Sequence, residues 1–264
     1  MPIREKGKKE KIWRSFKIGN LINLMMLDTR SAARDEQLDI ESYFEGKNFK
    51  TKSYKRDLQK PRKLLGNEQF RWIKNNNSNE FKWSIFGQQI LIGPKYLPNI
   101  LSQIDSDEFP SYIQRFKALS GKEIPYNTDQ WDGYPNEREQ FYRNIEASQS
   151  SVILAGDSHD SWLSNLYDEK EKFVGIEIGA PSITSPNSID TFGEKINKIE
   201  GGFIQENRDL EWINGKNKGY VQLAVSNENI NVNIDVSKKF QDMSKEELQE
   251  YMENKYVNNM KDVS

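Results

Sequence analysis

The chain has no cysteine and only one histidine among its 264 residues. Without cysteine there is no disulfide framework, no thiolate nucleophile and no cysteine-type zinc site. A single histidine excludes any multi-histidine metal site built by this chain alone, H-E-x-x-H included. No apolar run approaches the roughly 18 residues of a membrane span, so none is expected. The start, MPIREKGKKEKIW, is charged and lacks the apolar core of a signal peptide. An excess of one charge is also missing: 38 Lys+Arg against 40 Asp+Glu leave a net charge of −2. That balance gives no general pull toward nucleic acid or an anionic membrane, and nucleic acid is not expected as a specific partner.

What is present argues for a folded protein. Aromatic residues make up 11% of the chain, which speaks against wholesale disorder. The length suffices for a real core and corresponds to one large or two small domains.

Residues 21–27 (LINLMML) form a short, nearly continuous apolar run, the pattern of a strand buried on both faces. It ends in Asp28-Thr29-Arg30. The Lys/Arg-rich stretch 47–63 shows no periodicity and reads as an exposed loop. Its Phe49 and Tyr54, set among cations, would also suit a polyanion, but the balanced total charge favours the loop. In 64–74, Leu65, Gln69, Trp72 and Ile73 fall at helical spacing. Residues 81–92 (FKWSIFGQQILI) are rich in β-formers and read as a strand. A short helix is expected at 112–118, a turn at 129–135, and a helix over 136–147 that begins at Pro135. The runs 151–155 (SVILA) and 173–178 (FVGIEI) read as strands. Residues 220–225 and 230–236 alternate with period 2 and make a hairpin. Ser244 and Glu247 form a capping-box pattern, so 245–255 should be helical. Strand and helix alternate first and antiparallel strands follow, which makes the fold class α/β with β-rich additions.

The chemistry concentrates at Gly156-Asp157-Ser158-His159, directly after an apolar strand. In open α/β sheets ligands bind beyond the carboxyl ends of the strands. A carboxylate and an imidazole there suit a metal ion or a phosphate. The bland alternative is a turn-capping Asp157 beside a surface His159, and for these residues alone the two readings stand about even. If the strands 21–27 and 151–155 are parallel, Asp28-Thr29-Arg30 faces the same edge. Arg30 or Arg34 could then hold a phosphate, although a structural ion pair of Arg30 with Asp28 or Asp35 is favoured. Trp131-Asp132-Gly133-Tyr134, next to Asp129, either lines a pocket mouth or is a packed turn. Ser158 is not a nucleophile elbow, because G-x-S-x-G is absent.

Five stretches carry a resemblance: IWRSFKIGNLINLMMLDTRS (12–31), LLGNEQFRWI (64–73), WDGYPNER (131–138), GDSHDSW (156–162) and EIGAPSITSP (177–186). In this order they resemble the later part of the PhoD-type alkaline phosphatases and phosphodiesterases, from about residue 2 to about residue 236. The resemblance implies part of a metallophosphatase α/β/β/α sandwich over 1–236, and the capping-box pattern makes 237–264 a helical tail. It implies hydrolysis of phosphate mono- or diesters at a metal cluster, with calcium and iron, in proteins that are usually exported. Asp157 and His159 fall on the family's G-D-x-H motif, so both would be metal ligands, His159 also serving catalysis. The resemblance assigns no role to Arg30, whose candidacy for substrate binding rests on its place at the strand end. Family members carry an N-terminal β-domain and the first metal motifs ahead of the matched region, and Met1-Pro2-Ile3-Arg4 resembles a point just after them. The family's cysteine ligand has no counterpart here. The resemblance thus implies a C-terminal portion with weak or absent turnover on its own. It would also leave the buried strand 21–27 short of neighbours and prone to self-association.

Overall fold

The computed structural model describes residues 11–104, 111–145 and 151–237. The proposed tail helix at 245–255 lies outside them. The centre is a seven-stranded mixed sheet in the order β1-β2-β5-β6-β8-β7-β9. Its strands are β1 (Arg14–Ile18), β2 (Ile22–Met26), β5 (Trp83–Gly87), β6 (Ser151–Ala155), β7 (Ser161–Tyr167), β8 (Phe173–Gly179) and β9 (Leu210–Asn214). β2, β5, β6 and β8 run parallel to one another. β1, β7 and β9 are antiparallel additions. The continuous apolar strands are thus the central ones, as parallel strands covered on both faces require.

One face of the sheet carries α2 (Gly66–Asn76) and α4 (Pro135–Ile145). Met25, Phe86 and Ile153 of the sheet pack there with Phe70 and Ile73 of α2 and Phe141 and Ile145 of α4. The N-terminus of α2 is capped from the other helix. Glu137 Oε2 accepts from the backbone N–H groups of Leu64 and Leu65 at 2.7 and 2.8 Å, putting a carboxylate on the positive end of the helix. The other face packs against β10 (Lys218–Val225) and β11 (Ile230–Ser237). Val221, Leu223 and Ile234 of this hairpin cover Ile22, Ile85, Val152 and Ile178. Among the described residues this two-stranded hairpin is all that represents the second sheet of the expected sandwich.

A further cluster gathers α1 (Thr51–Leu58), α3 (Ser111–Leu119) and α5 (Ile196–Glu206), with the short β3 (Phe44–Glu45) and β4 (Asn48–Phe49) beside them. This corrects the reading of 47–63 as a loop. Tyr54 and Leu58 sit one helical turn apart and are both buried, while the cations take the outer face. Phe49 and Tyr54 stack within the aromatic cluster at 5.2 Å and present no polyanion surface. The strand expected over 81–92 ends at Gly87, and 88–92 continues as buried irregular chain. β2 is also not short of neighbours: β1 pairs along its whole length, and the exposed edge is β1 itself.

Among the described residues, no helix is long and apolar enough to cross a membrane.

Candidate functional site

Because β2, β5 and β6 are parallel, the segments that follow them leave the sheet at one edge. Asp28-Thr29-Arg30 follows β2, Gln88-Gln89 follows β5, and Gly156-Asp157-Ser158-His159 follows β6. Gln89 ties the three together. Its side-chain amide donates to the Leu27 carbonyl at 2.9 Å and accepts from Thr29 N–H at 2.8 Å and Thr29 Oγ1 at 2.6 Å. Its backbone carbonyl accepts from Gly156 N–H at 3.3 Å. The sequence reading missed this residue; its only signal is a pair of glutamines directly after an apolar strand.

The Asp28 carboxylate folds back on its own loop, where Oδ1 accepts from the N–H groups of Arg30 and Ser31 at 3.0 and 2.9 Å. The Arg30 guanidinium then reaches two acids. Nη1 donates to Asp129 Oδ2 at 2.6 Å and Nη2 donates to Asp157 Oδ2 at 2.5 Å. Arg34 Nη2 meets the other oxygen of Asp129 at 2.6 Å, and its guanidinium lies over the Tyr134 ring at 5.1 Å. Burial works against the charge on Arg30, but the hydrogen bond and charge of Asp129, and then of Asp157, outweigh it and raise its pKa. The ion pair anticipated for Arg30 is therefore real but has other partners than Asp28 or Asp35 carboxylates.

The exit from β6 is made by left-handed backbone at Asp157 (φ 69°) and His159 (φ 66°). Gly156, directly after the strand, does not itself adopt a positive φ. Two non-glycine residues in this conformation cost about 1–3 kcal/mol each, so the surrounding structure must hold them. It does so through residues 180–188. The His159 carbonyl accepts from Ser182 N–H at 2.9 Å and from Asn187 Nδ2 at 3.1 Å. Asp160 is buried and accepts from Ser188 N–H at 3.0 Å. Burial pushes the Asp160 carboxyl up to about 6, against the pull of its Ser188 hydrogen bonds.

His159 Nδ1 lies 2.8 Å from the Pro186 carbonyl. A carbonyl only accepts, so Nδ1 carries the proton and Nε2 is the ring nitrogen left for a ligand or a proton transfer. Trp131, Asp132 and Tyr134 are buried, and Asp132 pairs with Arg138 at 2.6 Å. That segment is a packed turn; the neighbouring Asp129 and the Tyr134 ring under Arg34 are its contacts with the site.

The implied metal cluster can be tested against these donors. Asp157 offers its carboxylate with Oδ2 already on a guanidinium, His159 offers one nitrogen, and Asp28 keeps Oδ2 buried with no hydrogen-bond partner. Among the described residues no three His, Cys, Asp or Glu side chains gather closely enough to hold an ion. Bound calcium takes six to eight oxygens and transition metals commonly three or four protein ligands. The residues present do not fit a metal centre by themselves.

Comparison with known proteins follows the same lines. A family model described as PhoD-like phosphatase matches residues 1–234. Alkaline phosphatase D of Bacillus subtilis (strain 168) is 30% identical over 238 residues, covering 86% of this chain and 35% of the relative. A solved structure, "Structure of PhoD", superimposes with a TM-score of 0.59 at 24% identity, covering 90% of this chain and 43% of the other. That last likeness concerns the fold alone. The chain thus spans about a third of the curated relative's length. With its sequence matched nearly end to end by the family model, the chain belongs to the PhoD-like phosphatase family.

Proposed function

We propose that this chain carries a phosphate-ester site of a PhoD-like hydrolase, acting on phosphate mono- or diesters. The observation that supports it is Arg30, held between Asp129 and Asp157 at the shared edge of two parallel strands, with the single imidazole of the chain two residues after Asp157. Two of the five N–H donors of Arg30 are engaged by these acids, and the others are available to phosphoryl oxygens. Because the carboxylates fix the guanidinium in advance, binding an anion orders little that is not already ordered. His159, with its proton on Nδ1, would use Nε2 to take a proton from an attacking water and then pass that proton to the leaving oxygen. Asp157 acts through Arg30. The metal roles that the resemblance implies for Asp157 and His159, with calcium and iron, need donors beyond these two. The roles proposed here are those the residues fill without an ion.

A second reading is binding without turnover. It is favoured by the Arg30–Asp157 contact, which commits one of the two Asp157 carboxylate oxygens to a guanidinium. Calorimetry with inorganic phosphate tests the common core of both readings: binding is expected, and Arg30→Gln should abolish it. No binding by the unaltered chain overturns both. Release of p-nitrophenol from p-nitrophenyl phosphate or its bis-ester, lost in His159→Gln, decides for the hydrolase over the binding module. Weak or no turnover is expected of the chain alone.

A further inference from the structure

Two clefts meet at Ile40 and Thr128. One, of about 580 Å³, is bordered by Arg30, Arg34 and residues 35–40. The other, of about 360 Å³, is lined by Phe44, Leu97, Phe116, Leu119 and Tyr126. Thr128 borders both clefts; Tyr126 and Asn127 before it line the second, and Asp129 follows it directly. At one end Asp129 holds Arg30 and Arg34. At the other, the Tyr126 ring lies 5.9 Å from Phe116 and edge-on to Phe203 at 5.3 Å. Tyr126 is anchored through its hydroxyl, which donates to Ser188 Oγ at 2.9 Å, and Ser188 N–H in turn bonds Asp160 beside His159.

From this continuity we propose that the second cleft is the subsite for the ester substituent, and that the preferred substrates are phosphate esters of planar, apolar alcohols such as phenols. The inference rests on the phosphate-binding role of Arg30 and adds the class of the organic group. The chemistry of the walls selects it. Rigid aromatic faces and leucines reward buried apolar area and ring contacts. The charged pair at the rim, Arg115 with Glu41, is about half exposed and screened by water. A methyl group is too small to use those walls, and a glyceryl group would turn its hydroxyls toward them, with Asn127 and Thr128 the uncharged polar residues of the lining. A pocket with an apolar body and a few polar groups at one end is also the usual form of a small-molecule site.

The test uses the full chain and three probes in calorimetry: inorganic phosphate, methyl phosphate and phenyl phosphate. Phenyl phosphate is expected to bind about tenfold more tightly than methyl phosphate. Phe116→Ala should reduce that ratio to about twofold or less and leave methyl phosphate unchanged. Should α3 loosen in that variant, as read from its melt, Phe44→Ala repeats the measurement from the opposite wall. Equal affinity for the two esters, or a phenyl preference that survives both substitutions, overturns the inference while leaving the phosphate site standing. Failure to bind any of the three probes removes the phosphate site and this subsite together.

Discussion

Arg30 and Asp157 lie 127 positions apart in the sequence and meet at 2.5 Å across the ends of two parallel strands that are separated by a third. Both side chains are about a third or more exposed, so the contact adds little stability, within about 1 kcal/mol. Its importance is geometric. Arg30→Gln should therefore cost more than tenfold in phosphate affinity while moving the melting temperature by no more than about 2–4 °C. A large melting shift with unchanged affinity would contradict this.

Gln89 makes a different prediction. Gln89→Met keeps the volume but removes the hydrogen bonds to Leu27, Thr29 N–H and Thr29 Oγ1. Two backbone groups are then left short of partners, at about 1–3 kcal/mol. Denaturant titration should show that loss, and phosphate affinity should fall with it, because the loops bearing Arg30 and Asp157 are no longer joined. Wild-type affinity in a destabilised Gln89→Met chain would show that the loops hold their places unaided.

Lys95 and Glu177 form a fully buried pair at 3.0 Å. Glu177 also accepts from the N–H groups of Ile92 and Gly93. A methyl group on Gly93 would stand 2.9 Å from Glu177 Oε2 and 3.0 Å from Lys95 Nζ, so glycine makes room for the pair. Lys95→Met leaves an uncompensated buried carboxylate and should cost about 3–5 kcal/mol. A loss below 1 kcal/mol in urea unfolding would mean that the backbone N–H groups alone satisfy Glu177.

Glu137 supplies a pH signature. Burial raises its carboxyl above the ordinary range, outweighing the backbone N–H groups of Leu64, Leu65 and Gly66. A folded-state value above the unfolded one favours the protonated protein. The contribution is therefore complete below the ordinary carboxyl value of about 4 and is lost as pH rises through the raised value. Glu137→Gln should remove this component. Between pH 4 and neutrality its melting temperature should fall less, or rise more, than that of the unaltered chain. Parallel pH profiles for the two proteins would rule the effect out.

The outer strand β1 leaves Phe16 and Ile18 at 41% and 52% exposure, with one lysine between them. Open strand edges invite pairing. Sedimentation is expected to reveal concentration-dependent self-association that Ile18→Lys weakens. A single monomeric boundary at every concentration would dismiss it.

The elements legible from sequence were those whose apolar pattern is undiluted. The runs 21–27 and 151–155 are unbroken and became central parallel strands, and the hairpin strands showed their period of two. Ser161–Tyr167 hid because Ser161 and Ser164 occupy buried positions in it. Ile196–Glu206 hid behind Gly201 and Gly202, residues that weaken a helix. A methyl group on Gly202 would come within 2.5 Å of Ile100 Cγ2, so close approach to a neighbouring segment accounts for one of them. At the site, Asp157 and His159 were legible together because they are local. Arg30 was legible as a cation at a strand end. Its partners were not, since only the packing of β5 between β2 and β6 decides which distant carboxylates it reaches.

The sheet order has one more consequence, for how the chain assembles. β8 lies between β6 and β7, so β7 cannot pair with the strand that precedes it. The turn at 168–172 is short and knotted locally, with Asp168 Oδ1 accepting from the N–H groups of Lys170 and Lys172. Closing it fixes few residues, whereas the seam between β6 and β8 must span all of β7 first. Loop closure therefore costs less for β7 with β8 than for β6 with β8, and His159, in the connection between β6 and β7, lies within the longer closure.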